Sequence, residues 1–319
     1  MPRSSLHSKL VRVPVASKID LSGRRIIVTG GAPGSIGGET ARILATWGAD
    51  VVVTTRTDPA FAVNRLRAAT AGVAAAGRVE GHCLDLADPV SVERFAQWYA
   101  GSRDGQLDVL VNNAGVHLDL LSKWQSPHLL ADGEEIHWRT NYLGTMHLTL
   151  LLLPLLHATG ERTGDARVVN VVSKLHARAT NQNLVDVTTN YNSWVAYGAS
   201  KLALIHAGTE LQRRYATVGV QAYSLHPGEV LTDIASKGLA GHRLIGSVRR
   251  VLRPVEAFFL MTPAEGAQTS VFAATAPGLE GGQYLRKCAP AELTADARNG
   301  LVARQLWEKT EAWSLTLAD

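Results

Sequence analysis

Cysteine is nearly missing from this chain. Its two residues, Cys83 and Cys288, stand far apart among 319. So few thiols exclude a disulfide-stapled scaffold and suit a cytoplasmic protein with reduced thiols. No histidine–cysteine cluster has zinc-ligand spacing, so no zinc-built module is expected. Long apolar runs are lacking as well. The strongest, LTLLLLPLL at residues 148–156, is too short to cross a bilayer and predicts a buried helix segment. Residues 1–20 carry Arg3, Lys9, Arg12 and Lys18 but no signal-like apolar stretch, and they read as a loose N-terminal arm. Nor does one sign of charge dominate. A net charge of +4 over this length implies a mildly basic surface and no nucleic-acid partner.

What is present is 46% hydrophobic residues, enough for a sizeable core. From Arg25 onward, β-rich runs alternate with helical text. The runs are RIIVT ending at Thr29, DVVVTT ending beside Arg56, RVEGHCLDL, LDVLVN, ARVVNVVS and VGVQAYSLH, with a last strand in GQYL near Tyr284. A helix is predicted from about residue 36 to 47, with Ala41, Leu44 and Ala45 on one face and Gly48 after its end. Strands this apolar, separated by helices, predict an α/β fold with a doubly wound parallel sheet covered on both faces. Such sheets bind ligands beyond the carboxyl ends of their strands. Gly30, Arg56, Asp85, Asn113, Ser173 and Pro227 all fall at such ends. One domain is expected over residues 21–319, with the tail from about 232 adding helices that cover a substrate.

The first strand runs into TGGAPGSIG, where Gly30, Gly34 and Gly37 are spaced to let the backbone approach a pyrophosphate. Ser35 and Ile36 open the next helix, whose free N–H groups face such a charge. At the end of the second strand, a carboxylate would bind an NAD ribose hydroxyl. This chain has Thr55 and Arg56 there, which suit a 2′-phosphate and predict NADP(H) over NAD(H). Asp85, followed by Leu86, can accept from an adenine amino group or place a charge before a helix near Pro89. Asn113, Ala114 and Gly115 in NNAG are expected to line the cofactor cleft.

Reducing a carbonyl by hydride transfer requires a proton donor at the growing alkoxide. YGASK supplies Tyr197 with Lys201 one helical turn on, so an ammonium can stabilise phenolate and lower the phenol pKa. Ser173 can hold the substrate oxygen. Asn141 can hold a water linking Lys201 to solvent, or it can satisfy helix backbone groups as a buried asparagine. Tyr191 has no lysine four residues on. Lys174 is expected to face solvent, and His176, His206 and His226 to be structural.

These motifs make the chain resemble the short-chain dehydrogenase/reductase family, with its Rossmann-type fold, from about residue 24 to at least 232. The resemblance implies that Asn141, Ser173, Tyr197 and Lys201 form the catalytic set. PGEVLTD resembles the family's P-G-x-x-x-T, implying nicotinamide contacts from Pro227, Gly228, Val230 and Thr232. GETARILATWGADVVVTTR, LDLADPVSVERFA, NYLGTMHLTLLLLPLL, LHPGEVLTDI and EGAQTS look like the retinol dehydrogenase, WW-domain oxidoreductase and protochlorophyllide reductase branch. The long insert between Ser173 and Tyr197 resembles that branch too. Three features depart from the pattern. The glycine turn is one residue longer, as in fatty-acid-synthase ketoreductases. Val172 precedes Ser173 where the family has a second serine, and no N-terminal membrane anchor like that of many retinol dehydrogenases is expected. The expected activity is a cytoplasmic NADP(H)-dependent carbonyl reductase or alcohol dehydrogenase acting on a small apolar substrate. A ketoacyl-thioester reductase and a non-catalytic cofactor-sensing protein are the alternatives. The family resemblance implies a homodimer or homotetramer.

Overall fold

The computed structural model describes residues 14–228 and 261–317, apart from the single positions 103, 120, 122, 187 and 189. Valine- and isoleucine-rich runs form the strands β1 (Arg25–Val28), β2 (Asp50–Thr55), β3 (Val79–Cys83), β4 (Val109–Asn112), β5 (Ala166–Val171) and β6 (Val220–His226). Two short strands follow, β7 (Tyr284–Arg286) and β8 (Ala289–Pro290). The sheet order is β3-β2-β1-β4-β5-β6-β7-β8. Strands β1 to β7 pair in parallel and β8 closes the edge antiparallel to β7. The chain winds outward from β1 to β3 and then crosses to β4 on the other side of β1. The cleft beyond β1 and β4 is therefore the switch point at which such sheets bind ligands.

Successive strand residues point to opposite faces, and each face carries its own core. Ile26 and Val28 join one cluster and Ile27 the other. The first layer contains α1 (Ile36–Thr46), α2 (Pro59–Thr70) and α6 (Pro263–Thr275). The second contains α3 (Pro89–Ser102), α4 (Gly144–Thr163) and α5 (Ser193–Tyr215). Outside α5 lies α7 (Gly300–Leu315), anchored by buried Trp307.

The expected helix at 148–156 is part of α4. With the π-helical turn Trp138–Leu143 before it, the Trp138–Thr163 stretch reaches a membrane-spanning length and hydropathy, yet 67% of its apolar window is buried in the protein. Two expectations change. The end of the predicted arm is docked: Ala16 is buried and its N–H donates to Gln268 Oε1 on α6 at 3.1 Å. From Pro263 on, the tail supplies the expected last strand as β7, while its helices pack into the core layers, because its apolar residues have helix faces to fill. Of the segment expected to cover a substrate, residues 232–260 lie outside the described residues.

Candidate active site

The cofactor end is built on the turn between β1 and α1. Ser35 caps α1: its hydroxyl accepts from Gly38 N–H at 3.0 Å and donates to Ala32 O at 2.6 Å. This leaves the N–H groups of Ile36 and Gly37 at the helix head, where first-turn donors have no acceptor within the helix. Gly34 sits at φ +74° with open space where a Cβ would point. Gly37 packs so closely on Asn113 that a side chain there would displace it. Asn113 in turn donates to Thr29 O at 2.7 Å and Gly30 O at 3.3 Å. The N–H groups of Asn113 and Ala114 both donate to Thr29 Oγ1 at 3.0 Å. The NNAG segment thus staples the end of β4 to the glycine turn, and Asn113 does so with its side chain.

Arg56 is exposed beyond β2, beside Thr55, whose buried Oγ1 has no hydrogen-bond partner among the described residues. A buried hydroxyl without a partner and an exposed arginine, both at this strand end, suit an anionic ligand there. Asp85 Oδ1 accepts from Ala87 N–H at 3.0 Å. The helix-charge role left open for Asp85 is taken by Asp88, which accepts from Val90 N–H at the head of α3. The Leu86 side chain is core, and its carbonyl accepts from the buried Arg139 at 3.3 Å. Pro227 is buried and Gly228 adopts φ +99°, while Val230 and Thr232 lie outside the described residues.

The chemical end gathers the other predicted residues. Tyr197 and Lys201 share one face of α5, with Lys201 Nζ 5.7 Å from the Tyr197 ring centroid. Ser173, at the end of β5, lies close enough to the Tyr197 phenol to pull its pKa down, and its hydroxyl accepts from Leu175 N–H at 3.2 Å. Lys201 is 3% exposed and donates to Val171 O at 3.2 Å. Burial pushes the lysine down to about 8.

The phenol behaves differently from expectation. Burial raises Tyr197 to about 12, and the pull of the nearby Ser173 offsets only part of that. The ammonium stands off the ring and is itself destabilised by burial, so desolvation outweighs the expected lowering.

Asn141 occupies the π-helical turn, a distortion that often marks functional positions. Its Oδ1 accepts from Val116 N–H at 2.7 Å. Its Nδ2 donates to Val116 O at 2.9 Å and Ser200 Oγ at 3.2 Å. Its amide thus pairs with the backbone of the loop after β4 and not with the helix backbone groups expected of a buried asparagine. A Cβ built on Gly115 would lie 3.1 Å from Lys201 Nζ and 3.2 Å from Asn141 Oδ1, so the three converge. Lys174 is exposed as expected, at the start of a 3-10 turn (Lys174–Arg178) and not on a strand. Tyr191 donates to Glu135 Oε1 at 3.0 Å, and burial together with that carboxylate raises its pKa.

Sequence reasoning missed the imidazoles around Tyr197. His117 lies over its ring, and His137 stands edge-on to both. His137 Nε2 accepts from Leu118 N–H at 3.0 Å, so its Nδ1 carries the proton donated to Glu135 Oε1 at 2.7 Å. For His117 a signal existed: it stands two residues after NNAG, on the same strand-end turn.

Residues 24–241 match the model of the short chain dehydrogenase family. The chain is 37% identical over 297 residues to human (Homo sapiens) retinol dehydrogenase 11, covering 92% of this chain and 86% of that one. It is 35% identical over 311 residues to a Streptomyces antibioticus protein named "Probable oxidoreductase", covering 91% and 97%. A solved structure from Mycobacterium paratuberculosis, described as uncharacterized, superposes with TM-score 0.65 at 29% identity, covering 94% of this chain and 95% of that one. With its doubly wound sheet, its switch-point cleft and these relatives, the chain belongs to the short-chain dehydrogenase/reductase family of nicotinamide-dependent oxidoreductases.

Proposed function

We propose that the chain is a cytoplasmic NADP(H)-dependent oxidoreductase that interconverts a carbonyl and an alcohol on a largely apolar substrate. The observation that carries this reading is a Tyr197 phenol with Ser173 beside it and buried Lys201 on the same helix face. Bound nicotinamide supplies or accepts the hydride. In reduction, Tyr197 passes its proton to the substrate oxygen as negative charge develops there. In oxidation, the same atom takes the alcohol proton. Ser173 holds the substrate oxygen within reach of the phenol. Lys201 places a positive charge beneath the site, and Asn141 fixes the loop that borders it. The helix head at Ile36 and Gly37 holds the pyrophosphate, and Arg56 with Thr55 Oγ1 holds a 2′-phosphate.

Titration with NADPH and NADH, followed by nucleotide fluorescence, tests the cofactor half. Arg56→Ala is expected to weaken NADPH binding roughly tenfold or more, the loss of about 1.5–3 kcal/mol for a charge-assisted contact, with less effect on NADH. Equal losses for both would remove the NADP(H) preference. A screen of apolar ketones, aldehydes and retinaldehyde tests the chemical half. Retinaldehyde earns its place through the retinol dehydrogenase relatives.

A further inference from the structure

His117 is a buried polar side chain stacked on the reacting phenol that carbonyl reduction, as described above, leaves unused. It stands on the turn after β4. Its ring lies face to face with Tyr197, with centroids 4.5 Å and planes 13° apart. Trp194 meets it edge-on at 4.7 Å, and His137 does so at 5.6 Å. The residue is 3% exposed, and its Nε2 has no hydrogen-bond partner among the described residues. Stacking on a tyrosine needs no nitrogen, since a phenylalanine would fill the same space without stranding a polar atom. Buried polar atoms are nearly all paired in native proteins, so an unpaired one beside the chemistry requires a cause. Burial and the neighbouring His137 push the ring down to about 4, against the pull of Asp119 and Glu135. At working pH it therefore offers one N–H and one lone pair and carries no charge.

We propose that His117 is a specificity residue whose imidazole hydrogen-bonds a second oxygen of the substrate, on the carbon next to the reacting carbonyl. This inference rests on the carbonyl-reductase reading. Phenol and imidazole are stacked, so they address neighbouring groups of one small molecule and not its distant ends. The favoured class is an apolar body carrying an α-dicarbonyl or α-hydroxycarbonyl pair. A substrate without the second oxygen leaves the imidazole unpaired, and sites built to hydrogen-bond a group reject analogues that lack it.

The test compares benzil with deoxybenzoin, which lacks one of its two carbonyl oxygens. Steady-state kinetics would be measured with the nicotinamide that binds, in the wild type and in His117→Phe, His117→Met and His117→Gln. The expected result is that Phe lowers the benzil-to-deoxybenzoin ratio of kcat/KM by about tenfold or more, chiefly through a raised KM for benzil. Gln, which keeps a donor and an acceptor, should recover part of that ratio. Met makes the same comparison if the aromatic variant does not fold. A ratio unchanged by either apolar variant, including equal loss on both ketones, would overturn the specificity role and leave His117 as packing for Tyr197. A wild type that binds nicotinamide but reduces no carbonyl, in this pair or in the wider screen, would overturn the carbonyl-reductase reading, and this inference with it.

Discussion

Tyr197 and Lys201 face opposite electrostatic problems in one place. Burial holds the phenol protonated, up to about 12, and makes the ammonium easier to lose, down to about 8. On a rising pH scale, the lysine therefore loses its charge first. For carbonyl reduction, kcat/KM is expected to stay level through neutral pH and to fall above about 8, where Tyr197 still carries its proton. A pH–rate profile on the free enzyme reads this, and a level line to far higher pH would show that the ammonium is not needed. Tyr197→Phe should lower kcat by about a hundredfold to ten-thousandfold while nicotinamide still binds, a split that fluorescence titration beside turnover measures. The pair was legible because its spacing is helical and its residue types are chemically explicit. Glu135, His137 and His117 were not legible as a cluster. They meet only because the π-helical turn and the loop after β4 fold against α5, and no local pattern encodes that contact.

At the scale of elements, α7 is the piece with the most to lose. It adds no strand and carries no predicted site residue, yet it closes the second core. Trp307 is 1% exposed between α7 and α5, Tyr142 and Thr310 hydroxyls share a 2.7 Å hydrogen bond, and His147 Nδ1 meets Ser314 Oγ at 2.6 Å. Trp307→Ala is expected to cost about 3–5 kcal/mol, the range for emptying a large aromatic site. Because Trp307 Nε1 has no partner among the described residues, Trp307→Phe gives up volume but no hydrogen bond and should cost much less. Urea unfolding measures both, and equal losses would contradict the packing argument. The six long strands and α1 were readable from β-branched runs and helical spacing. The π-helical turn, the 3-10 turns Lys174–Arg178 and Asn181–Leu184, and two-residue β8 were not. Each is too short to show a period; β8 is held only by the tight turn back from β7, and the others take bonds from elsewhere in the chain. In Asn181–Leu184, Asn181 N–H donates to Asp296 Oδ1 at 2.8 Å, across 115 residues of sequence.

Across the whole molecule, buried imidazoles tie the fold to acidity. His117 borders the chemical end, His206 lies within α5, and His226 ends β6. Burial is the first cause that pushes each from the ordinary 6.5 down to about 4. Their bonding suits the neutral ring: His206 Nε2 lies 2.8 Å from Asn181 Oδ1, and His226 Nδ1 accepts from Lys174 N–H at 3.4 Å. A ring that stays neutral when folded but protonates once unfolded makes the unfolded chain bind more protons between pH 6.5 and 4. Stability must then fall as pH falls through that window. Each such imidazole contributes up to about 1.4 kcal/mol per pH unit. Asp165 and Glu210, held low despite burial by arginine partners, add losses of the same sign further into acid. The urea midpoint should therefore hold steady between about pH 6.5 and 8, below the range where the lowered Lys201 titrates, and drop steadily towards 4, with a shallower drop in His206→Gln. A midpoint unchanged from neutral pH to 4 would mean that the folded protein protonates these rings as readily as the unfolded chain, and that burial does not hold them neutral.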